Sequence, residues 1–321
     1  MDILAYVLVG AAFGFAFSMG AHYTGACMGM SYASGAIRPL PALLLMAPVT
    51  LLGAFLASSG VEGTVGHGLL ATGTVSIGLA LGIVLSAFAL TSLYNLVTIP
   101  TSTIQIFVFA VVGAGLARGI SIEWHTIETL ALLWAIAPVA AFALGFLLVR
   151  IADRVTGPRT RTSSLPRTAA WVLIAVGTAA SFAMGANDVS NATGSFIMTG
   201  LFGPMTAGLI GGIGLAVGVL TWGRPLLQRV AFDIVKLDAR MATGAQLAQA
   251  AIILAYVAFG FFTSMNQALV GAMIGTGVAR GQKGIHLKAI WGILLGWAIG
   301  PASGAALGFA SALLLVHLSL L

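Results

Sequence analysis

The sequence predicts an all-α polytopic membrane protein with two inverted-topology repeats of about five spans each, containing discontinuous or re-entrant helices. Three observations predict this fold: the composition, the placement of the basic residues and an internal repeat. The 321 residues are 59% hydrophobic and 7% charged, with a mean hydropathy of +1.06. Since a soluble domain carries about 25% charged residues, this chain cannot present a solvated surface.

Ten apolar segments follow one another along the chain. They lie at about 3–19, 40–59, 72–92, 102–118, 127–149, 168–186, 201–222, 244–262, 265–279 and 288–316. The fourth and ninth are short for a span of about 20 residues, so either could belong to a re-entrant hairpin. The start of the chain carries Asp2 but no Lys or Arg before its apolar run, so we expect no cleaved signal peptide.

The basic residues select one orientation of these segments. If the N-terminus is external and the segments alternate, 13 of the 14 basic residues fall in cytoplasmic loops, and Arg118 falls outside. The 13 are Arg38, Arg150, Arg154, Arg159, Arg161, Arg167, Arg224, Arg229, Lys236, Arg240, Arg280, Lys283 and Lys288. The positive-inside rule therefore predicts a multi-pass protein of the cytoplasmic membrane with both termini external. The net charge of +6 follows from topology and does not indicate nucleic-acid binding.

An internal repeat predicts the architecture. Met19–Ala21 recurs as Met184–Ala186 at an offset of 165, and TSTIQIFVFAVVGAGLARG (101–119) recurs as TSMNQALVGAMIGTGVARG (263–281) at an offset of 162. Each half holds five segments, an odd number, so the second half enters the membrane from the opposite side.

These halves define three regions. Residues 1–149 form the first inverted repeat, 150–167 an Arg-rich cytoplasmic linker with two prolines, and 168–321 the second repeat. In each half the first segment meets a Gly-rich break and continues as a shorter piece, at 26–37 and 191–200. We expect discontinuous helices there, whose free amides near Gly29 and Gly194 suit an anion.

The segment MGANDVSNATG (184–194) carries the candidate coupling site. Of the eight acidic residues, Asp188 is the one that we cannot assign to a polar loop, and Asn187 and Asn191 flank it. Ionisable groups at membrane depth usually act on ions or substrates, so this trio is a candidate ion-coupling site and a candidate Na+ site. The alternative is a structural carboxylate bonded to neighbouring helix ends.

The second pair of repeats adds candidate anion ligands. Hydroxyl and carboxamide side chains occupy matching positions in both copies: Thr101, Ser102 and Gln105 against Thr263, Ser264 and Gln267. Hydrogen bonding between packed helices is the alternative role. The sequence contains no ATP-binding loop, metal-ligand cluster or nucleophile constellation, and the single Cys27 is interpreted as a small apolar residue. We therefore expect no enzyme and no cofactor, and a gradient of H+, Na+ or the substrate as the energy source.

The motif GANDVSNATG and the duplicated TS-x-x-Q segments resemble the inorganic phosphate transporter (PiT) family over most of residues 1–320. The resemblance implies inverted repeats, external termini and symport of an inorganic oxyanion with Na+ or H+. It carries over Asn187, Asp188 and Asn191. In the first half, however, Gly20-Ala21 is followed by His22 rather than by Asn and Asp, and MGMSYASGAI (28–37) is similar to the sulfate permease branch of that family.

This departure directs the functional prediction. Because a symmetric pair of sodium sites has lost one carboxylate, and because His22 can gain and lose a proton near neutral pH, we rank H+ ahead of Na+. The similarity of residues 28–37 to the sulfate permease branch implies that sulfate ranks ahead of phosphate. The alternative for His22 is a hydrogen-bonded structural histidine. A Na+/phosphate symporter, an ion channel and a membrane scaffold are the alternative functions. The expected partners are inorganic sulfate or phosphate and membrane lipid, with a homodimer left open.

Overall fold

The computed structural model describes residues 3–97, 101–157, 165–229, 238–281 and 287–318. These residues form twelve helices, apart from one isolated antiparallel bridge between Leu70 and Ile122. The helices are α1 (Ile3–His22), α2 (Thr24–Ala33), α3 (Pro39–Ala57), α4 (Ser59–His67), α5 (Ile77–Leu96), α6 (Thr103–Ala117), α7 (Trp124–Thr156), α8 (Arg167–Met198), α9 (Pro204–Arg229), α10 (Ala239–Ala258), α11 (Met265–Ala279) and α12 (Leu287–His317).

Each of the ten predicted segments corresponds to one of these helices, which confirms the all-α class. The shorter piece predicted at 26–37 corresponds to α2, which continues α1, whereas the short helix α4 was not predicted because its Gly-rich sequence resembles a loop. The third segment begins later than predicted because the Ser76 hydroxyl caps α5 by accepting a hydrogen bond from the N–H of Leu79. In the described residues, eight helical stretches are long and apolar enough to cross a membrane.

Helices α6 and α11 are too short to cross, as their segments predicted. Each has 15 residues, or about 22 Å at 1.5 Å per residue. Helix α6 ends beside the Leu70–Ile122 bridge, at the end of the bundle that we call the Arg118 face. Helix α11 ends where Arg280 meets Asp153 of α7, at the end that we call the Arg150 face. Both begin at the buried residues Ser102 and Ser264 and end at opposite faces. That they are re-entrant stays a prediction.

The packing repeats between the two halves at the offset found in the sequence. Gly20 of α1 lies against the carbonyl of Leu215 on α9, and Gly185 of α8 lies against the carbonyl of Thr50 on α3. Gly185 lies 165 residues after Gly20, and Thr50 lies 165 residues before Leu215, so the repeat relates the two contacts. The same holds for Gly218 against Phe17 and Gly53 against Phe182. Small residues let helix backbones approach closely in membranes, and here they build two equivalent helix crossings.

The predicted helix break in the second half is wrong. Helix α8 runs without interruption from Arg167 to Met198, through Gly185 and Gly194. In the first half the break is confined to Tyr23, between α1 and α2. A glycine inside a helix lowers helix stability by only about 1 kcal/mol relative to alanine. Here the absence of a side chain lets neighbouring helices pack closely, and this packing offsets that cost. The glycines mark contacts rather than breaks.

The predicted boundaries between repeats and linker stay a prediction. Helix α7 extends beyond 149 to Thr156, and α8 begins at Arg167, so helical structure enters both ends of the predicted linker at 150–167. Residues 158–164, with Arg159 and Arg161, lie outside the described residues, as do Lys236, Lys283 and His286.

Candidate anion and coupling-ion site

Two helix N-termini meet in the centre of the protein. Ser102 caps α6 and Ser264 caps α11, each accepting a hydrogen bond of 3.4 Å from the N–H three residues later. The Gln267 Nε2 donates to the Gln105 Oε1 at 3.2 Å, so the first turns of the two helices touch. Each cap uses one of the first N–H groups, and the positive ends of both helix dipoles converge here. The junction can therefore bind an anion.

The positive potential at this site comes from the helix dipoles rather than from cationic side chains. Within the described ranges, the fully buried ionisable side chains with formal charge are acidic, Asp188 and Glu62, and no Lys or Arg is buried. The hydroxyls of Thr101 and Thr263 are buried and have no hydrogen-bond partner there. Because buried polar groups are normally paired, these two hydroxyls are available to a ligand.

Helix α8 holds the start of α11 through Asn187. The Asn187 Nδ2 donates to the carbonyl of Thr263 at 2.8 Å, and the N–H of Thr263 donates to the Asn187 Oδ1 at 3.0 Å. Both polar atoms of this carboxamide are thereby engaged with backbone. Asn187 therefore links α8 to the start of α11. The unpaired acceptor oxygens belong to Asp188 and Asn191 on α8.

Those acceptors are the Asp188 Oδ1 and the Asn191 Oδ1, both buried without a partner among the described residues. The other carboxylate oxygen of Asp188 accepts from Asn187 Nδ2 at 3.1 Å. Asn191 faces α1, where its Nδ2 lies 3.8 Å from the Met19 sulfur. Two unpartnered oxygens one helical turn apart can accept a proton or contribute to a cation site.

His22 is the first-repeat counterpart of Asn187, 165 residues earlier. Its Nδ1 hydrogen-bonds to the Asn95 Oδ1, which acts as an acceptor. Its Nε2 lies 3.2 Å from the Asn266 Nδ2, a donor that also bonds to the carbonyl of Thr101 at 3.4 Å. With Nδ1 protonated, the neutral ring donates to Asn95 through Nδ1 and accepts from Asn266 at Nε2. The neutral imidazole therefore has a partner for each ring nitrogen, one on α5 and one at the start of α11.

Tyr23, which sequence analysis missed, takes the place of a carboxylate. It stands 165 residues before Asp188 and is fully buried. Its hydroxyl lies 2.6 Å from the Thr103 Oγ1 and faces the Asp188 carboxyl group. The repeat offset itself pairs Tyr23 with Asp188 and is the signal that could have found it. One phenol and one carboxylate thus replace two symmetric carboxylates.

Two further polar features were also missed. Glu62 on α4 is fully buried, so the prediction that Asp188 alone escapes the polar loops is wrong. Its flanking glycines imitate a loop, and sequence provides no signal of its burial. On α10, Gln249 Nε2 donates to the carbonyl of Met265 at 3.2 Å and Gln246 Nε2 to that of Ala26 at 2.7 Å, so this helix supports both α11 and α2.

The structure brings most of the predicted residues together. Thr101, Ser102 and Gln105 meet Thr263, Ser264 and Gln267, and Asn187 ties this junction to Asp188. The predicted helix-end amides near Gly29 and Gly194 are wrong, because Gly29 lies inside α2 and Gly194 lies inside α8 against Val65. The free amides come from α6 and α11 instead. No group of three His, Cys, Asp or Glu suited to a metal occurs in the part described.

Comparison with known proteins gives consistent results. The model of the phosphate transporter family matches residues 19–164 and again 155–308. The sulfate permease CysP of Bacillus subtilis is 28% identical over 89% of this chain and 81% of its own length. A probable low-affinity inorganic phosphate transporter of Mycobacterium bovis is 27% identical over 90% and 71%. A solved structure described as the sodium-dependent phosphate transporter is similar with a TM-score of 0.85 at 20% identity, over 98% of this chain and 99% of its own, which confirms the fold.

Proposed function

Because this chain belongs to the phosphate transporter family, we propose that it moves a tetrahedral inorganic oxyanion, sulfate or phosphate, across the cytoplasmic membrane by secondary active transport. It is a multi-pass membrane transporter of that family and not an enzyme. The observation that carries the substrate class is the meeting of two helix N-termini at Gln105 and Gln267. N–H and O–H donors can surround the oxygens of such an anion.

No Lys or Arg is buried among the described residues, which supports a protein that releases its anion over one that retains it. A fixed cation would hold the anion through a strong charge-assisted bond. Dipoles and hydroxyls bind it more weakly, so it can leave on the other side. Because the donor set suits sulfate and phosphate alike, the ranking of sulfate ahead of phosphate continues to rest on the segment 28–37.

We propose H+ as the coupling ion, with Na+ as the alternative. Asp188 and Asn191 offer two free oxygens, whereas Na+ prefers several hard oxygen ligands. The Tyr23 hydroxyl faces the Asp188 carboxyl group, and the imidazole of His22 can take up a proton beside it. A proton bound at this junction would offset the negative charge of the entering oxyanion.

Uptake of radiolabelled sulfate into proteoliposomes, with phosphate as competitor and imposed pH or Na+ gradients, tests this proposal. Uptake is expected to saturate with sulfate and to rise as the external pH falls from about 7.5 to about 6, because the external supply of the coupling proton then increases. A conductance in planar bilayers that does not saturate would instead identify a channel. A strict Na+ requirement without pH dependence would favour Na+/phosphate symport.

His22→Asn is expected to flatten the pH response while preserving maximal binding. Asparagine is the residue at the equivalent position 187, where it bonds to the backbone of Thr263, and it cannot titrate. The matched control is His125→Asn, a change on the Arg118 face away from the junction. A pH profile that is the same for wild type and His22→Asn would make His22 a structural residue.

The proposed orientation puts the Arg150 face in the cytoplasm and both termini outside. Cysteine introduced at exposed Arg154 is therefore expected to resist an impermeant thiol reagent in intact cells, whereas cysteine at exposed Ser121 reacts. Buried Cys27 contributes little background. Labelling at 154 but not at 121 would invert the topology. A homodimer also stays a prediction.

A further inference from the structure

Glu62 is a buried carboxyl group outside the anion and coupling-ion junction. It lies on α4, near the Arg118 face, and none of its surface is exposed. Its Oε1 is 2.8 Å from the Thr193 Oγ1 on α8, and its Oε2 is buried without a hydrogen-bond partner in the described residues. No role in the junction requires it, so its burial calls for a separate explanation.

The single hydroxyl hydrogen of Thr193 helps to determine whether Glu62 is protonated. The Thr193 Oγ1 lies 2.8 Å from Glu62 and 2.9 Å from the carbonyl of Val189. A hydroxyl has one hydrogen to donate. If it donates to Val189, as threonine commonly does within a helix, Glu62 must carry a proton and donate to Thr193. If it donates to Glu62 instead, an ionised carboxylate is left with one hydrogen bond and a bare oxygen.

The neighbouring elements offer nothing to balance a negative charge. Helix α4 packs against α8, α9 and α10. Their ionisable groups are Asp188, which faces Tyr23, Tyr256, which bonds the carbonyl of Leu133 on α7, and arginines near the Arg150 face. His67 on α4 itself is exposed. Burying an uncompensated charge is strongly unfavourable, so the protonated form is the stable one.

We propose that Glu62 is a second proton-binding site, which carries its proton at neutral pH while α4 is packed on α8. The two carboxyl oxygens of Glu62 and the Thr193 hydroxyl are too few ligands for a metal cation. Proton binding here is independent of the proposed transport function. Its link to transport, which rests on that function, is the contact described next.

Helix α4 also touches the connection that leads into α11. The Thr64 Oγ1 donates to the carbonyl of Gly260 at 2.7 Å, three residues before Thr263. Gly60 lies against the same Gly260, whose φ of +73° suits glycine. Loss of the proton from Glu62 would favour hydration and separation of α4 from α8. The α11 connection would then lose one of its supports.

Two measurements on the purified full-length protein test proton binding directly. In infrared spectra at about pH 7.5, where fewer than about one ordinary glutamate in a thousand is protonated, wild type should show a protonated-carboxyl stretch that Glu62→Gln lacks. N,N′-dicyclohexylcarbodiimide, which modifies protonated carboxyl groups in apolar surroundings, should form an adduct at Glu62 found by peptide mass spectrometry. Exposed Glu128 is the internal control and should stay unmodified.

The variants keep the result interpretable. Glu62→Gln preserves the shape of the neutral acid and should fold like wild type. Thr193→Val removes the hydroxyl and should leave the adduct at Glu62 in place, because burial keeps the acid neutral. Absence of both band and adduct at about pH 7.5, with their appearance only near the ordinary glutamate range of about 4.3, would overturn the proposal. If Glu62 binds a proton but the protein takes up no anion, the proposed proton site is supported and the proposed anion transport is contradicted.

Discussion

Asp188→Asn is expected to abolish gradient-driven anion accumulation while the protein stays folded. The amide keeps the volume of the side chain and can still bond to Asn187, but it cannot bind and release a proton or neutralise a cation. We expect uptake to fall about a hundredfold or more, which corresponds to about 2.7 kcal/mol.

The measurement is initial uptake by proteoliposomes with equal amounts of reconstituted protein, beside exchange of anion without a gradient. Glu128→Gln, which neutralises an exposed carboxylate on α7, is the matched control and should behave like wild type. If Asp188→Asn loses accumulation but retains exchange, the carboxylate couples the ion. Unchanged accumulation would show that Asp188 is structural.

Gly185→Ala is expected to destabilise the fold severely. An added methyl group would overlap the backbone carbonyl of Thr50 and approach the backbone nitrogen of Ala54 to 2.9 Å, so helices α3 and α8 would have to separate. Overpacking usually destabilises a protein by about 1 to 3 kcal/mol, and a clash with backbone belongs at or above the upper end. Because Gly20 meets Leu215 in the same way, Gly20→Ala should have a similar effect.

Thermal unfolding in detergent, followed by size-exclusion chromatography, measures this. Gly10→Ala is the control, since no atom lies within 4 Å of the added methyl group and alanine favours helix by about 1 kcal/mol. It should match or exceed the stability of wild type. Equal midpoints for Gly185→Ala and Gly10→Ala would contradict the close crossing of α3 and α8.

The contacts of the junction explain which site residues were predictable. Thr101, Ser102 and Gln105 could be found because the same residue types recur at 263, 264 and 267, and the repeat implies equivalent positions. Tyr23 and Glu62 were missed for different reasons. Tyr23 interrupts the repeated motif with a different residue type, and Glu62 lies among glycines that resemble a loop. Their roles come from contacts with Asp188 and Thr193, far away in the chain.

The sequence by itself determined the membrane class, the ten main segments and the internal repeat, because composition and periodic apolar runs act locally and the repeat is written twice. Only the tertiary structure decided that α8 is continuous and that the free helix ends belong to α6 and α11. The physical reason is that glycine permits both a helix break and a close helix crossing. The neighbouring backbone, such as Thr50 opposite Gly185, selects between them, and that neighbour is set by folding rather than by nearby residues.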